Sequence, residues 1–101
     1  MSETSVTLVV TGTPNPEAAS EMQQYMGAAG PILAAHGGEV IYRGKTGKAI
    51  TGNVTFAMIL LMKFESEATL EAAFESEAYK KIIPLREKGF KQMDFVVSHS
   101  M

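Results

Sequence analysis

Four side chains in this 101-residue sequence have the chemistry of a site: His36, Arg43, Tyr79 and Arg86. Imidazole ordinarily titrates near neutrality, so His36 is a candidate proton donor or acceptor. Tyr79 offers a hydroxyl for the same proton traffic. The two guanidiniums present a planar fork of donors that suits a carboxylate or phosphate. Spacing sharpens the case for two of the four. Tyr79, Ile82 or Ile83, Arg86 and Phe90 step by three and four residues, which sets a cation on the stripe where apolar residues turn inward. A charge placed there needs a partner. Glu39 or Glu65 could supply one, the stem could snorkel to water, or a ligand could bring an anionic group.

His36 continues a second stripe, through Met22, Ala29 and Ile32, and is expected to face the sheet near a helix end. There it either finishes the helix, where a positive charge suits the dipole, or moves a proton. Arg43 is expected to share a strand face with Ile41, opposite Val40 and Tyr42, and so either to approach the helices or to edge a hairpin.

Other chemistry is set aside by residue type. Cysteine is absent, which removes disulfides, thiol nucleophiles and thiolate metal sites. The two histidines, His36 and His99, have no carboxylate at ligand spacing, so no metal is expected. Gly44-Lys45-Thr46 resembles the end of a phosphate-binding loop, but the glycine required five places earlier is Glu39, and a strand rather than a helix follows. Glu65, Glu67, Glu71, Glu75 and Glu77 suit helix N-termini and solvated faces. Net charge is −2 with scattered basic residues, so no nucleic-acid footprint is present. The first residues carry Glu3 and no basic residue before a short apolar run, so neither a signal peptide nor a membrane span is expected, and a cytoplasmic location is.

The elements that must hold these side chains follow from local pattern. Residues 6–11 are β-branched and read as a strand. Asn15 can cap a helix, with Pro16 in its first turn and Glu17 and Glu21 at its positive end. Apolar residues then recur at helical spacing to Leu33, with a kink or break expected near 27–31 because Pro31 removes a hydrogen bond, and Gly37 ends the helix. Residues 39–44 and 54–64 read as strands around a glycine-rich hairpin loop. Ser66 and Ser76 each begin a helix, the second running to Gly89 with Pro84 dividing or bending it. Residues 91–99 form the last strand. The order β-α-β-β-α-β over residues 1–101 predicts one α+β domain, ferredoxin-like, with an antiparallel sheet and helices on one face.

Strand 54–64 carries a second message. Val54, Phe56, Met58, Leu60, Met62 and Phe64 occupy one face, while Ala57, Ile59 and Leu61 make the other largely apolar too. Helices can cover only one face, so a second copy is expected on the other, giving a homodimer.

Two stretches, "GPILAAHGGEVIYRG" and "LMKFESEATLEAAFESEAYKKIIPLR", resemble the small bacterial family called domain of unknown function 1330. The resemblance spans nearly the whole chain. It implies the dimeric α/β-barrel superfamily, in which two ferredoxin-like sheets pack face to face. That superfamily holds cofactor-independent monooxygenases, lactone isomerases, haem-binding members and non-catalytic proteins, many with a small-molecule pocket between sheet and helices. His36, Arg43, Ser76, Tyr79 and Arg86 match the family's polar pattern. The chain departs from it with Phe74 where tryptophan is frequent, and with Ser76-Glu77-Ala78-Tyr79 where a proline often follows the serine.

These readings combine into an expectation. The protein is a homodimer with a pocket for a small organic acid or aromatic. Arg43, Ser76 and Arg86 would bind the ligand, and His36 and Tyr79 would move a proton in isomerase- or monooxygenase-like chemistry without a cofactor. The alternative is a non-catalytic binding or assembly protein whose pocket is filled by its own methionines and phenylalanines.

Overall fold

The computed structural model describes residues 5–101; Glu3 and the rest of the first four residues lie outside it. In strand β1 (Val6–Pro14), Val6, Leu8 and Val10 are buried while Thr7, Val9 and Thr11 are half-buried, the alternation of a strand with one face on the core. The Asn15 side chain accepts from the Glu17 N–H and opens a short 3-10 turn (Pro16–Ala18), which leads into helix α1 (Ala19–Ala35). The expected break does not occur: α1 runs unbroken through Pro31, which sits exposed on its outer side. The helix ends at His36. Gly37 turns at φ +89° and donates to the Ala34 carbonyl, while Gly38 donates to that of Leu33, a Schellman ending.

Strand β2 (Glu39–Lys45) returns antiparallel to β3 (Met58–Phe64). β3 starts later than its apolar pattern suggests, because residues 54–57 stay outside the strand. Helices α2 (Glu67–Glu75) and α3 (Glu77–Lys80) are capped by Ser66 and Ser76, whose hydroxyls accept from the Thr69 and Tyr79 N–H groups. Helix α4 (Ile83–Gly89) starts with Pro84 in its first turn, so the proline divides the helical stretch. Strand β4 (Phe90–His99) closes the chain's order.

The sheet order is β2-β3-β1-β4, all neighbours antiparallel, the ferredoxin-like α+β arrangement. One core cluster joins the sheet's inner residues Leu8, Val10, Met62 and Phe64 to Leu33, Leu70 and Ala73. A second joins Tyr25, Ala29, Tyr79, Ile82 and Phe90 between the helices. Among the described residues, no helix covers the sheet's other face. Across it Tyr42 opposes Leu61, Leu61 opposes Val9, and Val9 opposes Val96, so an apolar row crosses all four strands. Tyr42 and Val96 are each 54% exposed.

β2 corrects one expectation. Val40 opposes Met62 and Tyr42 opposes Leu61, leaving Ile41 as the extra residue of a β-bulge. The pairing Arg43–Leu60 therefore puts Arg43 on the helix-facing side together with Val40, not opposite it. Tyr42 alone of the three turns to the uncovered face.

Among the described residues, no helix is long and apolar enough to cross a membrane.

Candidate functional site

α1 lies over the sheet and meets different neighbours on its two flanks. Toward β2 and β3 it leaves two adjoining hollows. The inner one, about 270 Å³, is walled by Tyr25, Leu33, Val40, Met62, Met93 and Phe95, among others. The outer one, about 430 Å³, is bounded by Pro14, Lys45 and Ala57. Both share Met26, Arg43, Met58 and Leu60. The walls are mostly apolar, and methionine side chains adapt to irregular shapes. Their charged members are Arg43 and Lys45. Among the described residues the ion pairs are Lys88–Glu21 and His99–Glu67, so neither cation of the hollows is held by a carboxylate.

Arg43 is thus a cation at the junction of two apolar spaces, placed there by the bulge at Ile41. Such a group can hold a carboxylate, an enolate or a polarised carbonyl oxygen in bidentate fashion.

Behind the inner wall runs a hydrogen-bonded chain. Arg86 Nη1 donates to Tyr79 Oη at 2.8 Å, and the Tyr79 and Tyr25 hydroxyls lie 2.7 Å apart. Tyr25 and Tyr79 are almost completely buried. Burial drives the Tyr25 hydroxyl far above the usual tyrosine range, its bond to Tyr79 adds to this, and the nearby Arg86 opposes it. Tyr25 therefore remains a neutral phenol. The Arg86 guanidinium also lies 5.8 Å from the Tyr79 ring centroid and 5.6 Å from that of Phe95. Its partner is a phenol rather than one of the expected carboxylates.

The predicted residues do not converge. Arg43 lines both hollows, whereas His36, Ser76, Tyr79 and Arg86 line neither. His36 is half-buried with Nδ1 3.0 Å from the Ile32 carbonyl, so that nitrogen donates to its own helix. Ser76 Oγ donates to the Ala73 carbonyl and accepts from the Tyr79 N–H, the work of a cap. Tyr79 and Arg86 belong together, one ring removed from the hollow, with Tyr25 between. Sequence reasoning passed over Tyr25 and Lys45 as site residues. Tyr25 was findable by the argument used for Tyr79, as a hydroxyl on an apolar helical stripe. Among the described residues, no group of three or more histidine, aspartate or glutamate side chains is gathered for a metal.

The family described as domain of unknown function (DUF1330) matches residues 8–100. The chain belongs to that family. No functionally curated protein matches it in sequence. Among solved structures the DUF1330 chain is similar to the hydroxynitrile lyase of Passiflora edulis (13% identity, 98% of this chain and 95% of that one, TM-score 0.73). It is also similar to SnoaB, a cofactor-independent oxygenase of Streptomyces nogalater (10% identity, 96% and 93%, TM-score 0.68). A third is a dimeric protein of unknown function with a ferredoxin-like fold from Bacteroides fragilis (10% identity, 99% and 100%, TM-score 0.63). At these identities the likeness establishes the fold alone, and the fold carries many chemistries.

Proposed function

We propose that this DUF1330 protein is a homodimer whose subunits each bind a small, mostly apolar organic acid or aromatic in the hollow between α1 and the β2–β3 pair. Arg43 carries the reading: it is a cation without a carboxylate partner among the described residues, set where two apolar hollows meet. An anionic oxygen docks on its guanidinium, and the body of the ligand lies against Met26, Met58 and Leu60. The apolar row Tyr42–Leu61–Val9–Val96 supports the dimer: a second sheet covers it and forms a barrel across two chains. The dimeric ferredoxin-like neighbour supports that assembly.

The lyase and the oxygenase among the neighbours support catalysis of a kind Arg43 promotes by drawing charge onto a carbonyl oxygen, as in an isomerase or a cofactor-independent oxygenase. In this reading Tyr79 and Arg86 position the wall behind the ligand, and His36 serves its helix end. A non-catalytic reading has its own support. The Tyr79 ring packs against those of Tyr25 and Phe74, and Tyr25 in turn against Phe90, so that part of the protein is built for packing.

Thermal unfolding with 1-naphthoate, benzoate and uncharged 1-naphthylmethanol tests the site on wild type and Arg43→Leu. A ligand at 100 times its Kd stabilises by about 2.7 kcal/mol, a shift of roughly 10–20 °C in a domain this size. The carboxylates should shift wild type, the alcohol should do less, and the variant should lose the difference. Equal shifts in wild type and variant would remove Arg43 from the site. Sedimentation should give twice the chain's 10.9 kDa.

A further inference from the structure

We infer that the connection between β2 and β3, residues 46–56, is a lid that closes over the outer hollow and seats Ile50 on what it holds. The inference rests on the binding role proposed above. Both ends of the segment spring from the rim: Lys45 and Ala57 line the outer hollow, and no residue between them lines either space. The lid therefore stands open in this structure.

Its root is fixed and its tip is free. The Thr46 N–H donates to the Ala57 carbonyl and the Ala57 N–H to that of Gly12, both at 2.9 Å. The Thr13 hydroxyl donates to the Thr55 carbonyl at 3.2 Å. Beyond these bonds Ile50 is 86% exposed and Val54 41%. Gly52 turns at φ +79°, and a side chain at Gly47 or Gly52 would meet nothing within 4 Å. The tip thus combines a bare branched apolar side chain with two flanking hinges of high conformational freedom.

The open position leaves chemistry unfinished at both ends of the movement. Thr46 Oγ1, at the fixed root beside the Gly47 hinge, is buried with no hydrogen-bond partner among the described residues, a state that native structures seldom leave uncorrected. The outer hollow presents Met26, Met58, Leu60 and Pro14 to water. Closing the lid brings Ile50 onto these apolar walls and carries Lys48 toward the anionic group that Arg43 holds. Water leaves the hollow, and the charge–charge attractions within it strengthen.

Because the chain has no cysteine, an introduced pair is the only thiol pair present. The variant Ile50→Cys/Met26→Cys joins the tip to the α1 wall of the hollow. The control Ile50→Cys/Gln23→Cys joins it to an exposed position on α1. Under mild oxidation of the intact protein, the first pair should form an intrachain disulfide about tenfold faster than the second. Equal rates, or links formed between chains, would overturn the lid; the latter would make the segment part of the contact between copies. A binding arm separates this from the reading beneath it. Ile50→Ser should weaken 1-naphthoate about tenfold with unchanged unliganded Tm. Equal affinity would overturn the lid and leave Arg43 its role. Rapid intrachain disulfide formation in Ile50→Cys/Met26→Cys, together with a cysteine-free wild type that ignores every carboxylate, would keep the lid and discard the anion site.

Discussion

Toward α4, helix α1 packs so closely that a side-chain carbon at Gly89 would lie 2.7 Å from the backbone of Met22. Toward β2 and β3 the same helix leaves hollows of about 270 and 430 Å³. On the tight flank the arginine, Arg86, spends a donor on Tyr79 and lies against aromatic rings. On the hollow flank Arg43 has no carboxylate among the described ion pairs. One cation is tied into the packing, and the other has no carboxylate partner among the described residues. What separates them is the size of the groups opposite: rings fill one flank, while methionine and leucine on the strands leave the other short of volume.

That contrast can be broken most severely at the contact itself. Gly89→Val forces its side chain into the Met22 backbone and should cost about 3 kcal/mol, read as a fall in Tm of more than roughly 10 °C. Tyr79→Phe is gentler. It leaves the buried Tyr25 hydroxyl and an Arg86 N–H without their partner, an expected loss of about 1–3 kcal/mol in urea unfolding.

A pH titration sharpens the comparison. In the unfolded chain the Tyr25 hydroxyl ionises near its ordinary value of 10.0, whereas in the folded protein burial keeps it protonated. Above that pH the unfolded state binds fewer protons, so the Tyr25 contribution is whole at lower pH and declines as pH rises toward the folded value. The slope is at most about 1.4 kcal/mol per pH unit. Comparing wild type with Tyr25→Phe between pH 9 and 11 isolates it, and parallel curves would contradict the burial argument. The smallest effect belongs to the hollow flank. Met26→Ala, at a position 38% exposed, should change stability by less than about 0.5 kcal/mol. A loss as large as that of Tyr79→Phe would mean the hollow is packed in solution.

The order of elements could be read because each boundary has a local cause. Asn15, Ser66 and Ser76 cap through their own side chains, and Gly37 supplies the left-handed turn. The two apolar faces of β3 were legible as well, since strand alternation maps directly onto sheet faces. The start of β3 was not, because residues 54–57 are as apolar as the strand they precede while β2 has already ended at Lys45. The spacing asks for a partner for Arg86 and offers Glu39, Glu65 or a ligand, whereas the residue that accepts from it comes from its own stripe, Tyr79. Nothing local distinguishes that from a glutamate. A pocket between sheet and helices was implied by the family resemblance, but its walls and size could not be read from local pattern, since it is a volume left over between elements and no single residue encodes it.

The bulge at Ile41 also bears on how this strand tolerates insertion and deletion. Dropping one residue from a regular strand reverses the parity of everything beyond it and exchanges core for surface. Here the surplus residue is already present: Val40 and Arg43 face inward, Tyr42 faces outward, and Ile41 is the odd member between them. Excising Ile41 leaves a strictly alternating strand with each remaining side chain on the face it now occupies. The lost bulge would reduce local twist rather than invert the sheet. Shortening by one residue, the lesion strands resist most, is at this position the change β2 is built to absorb.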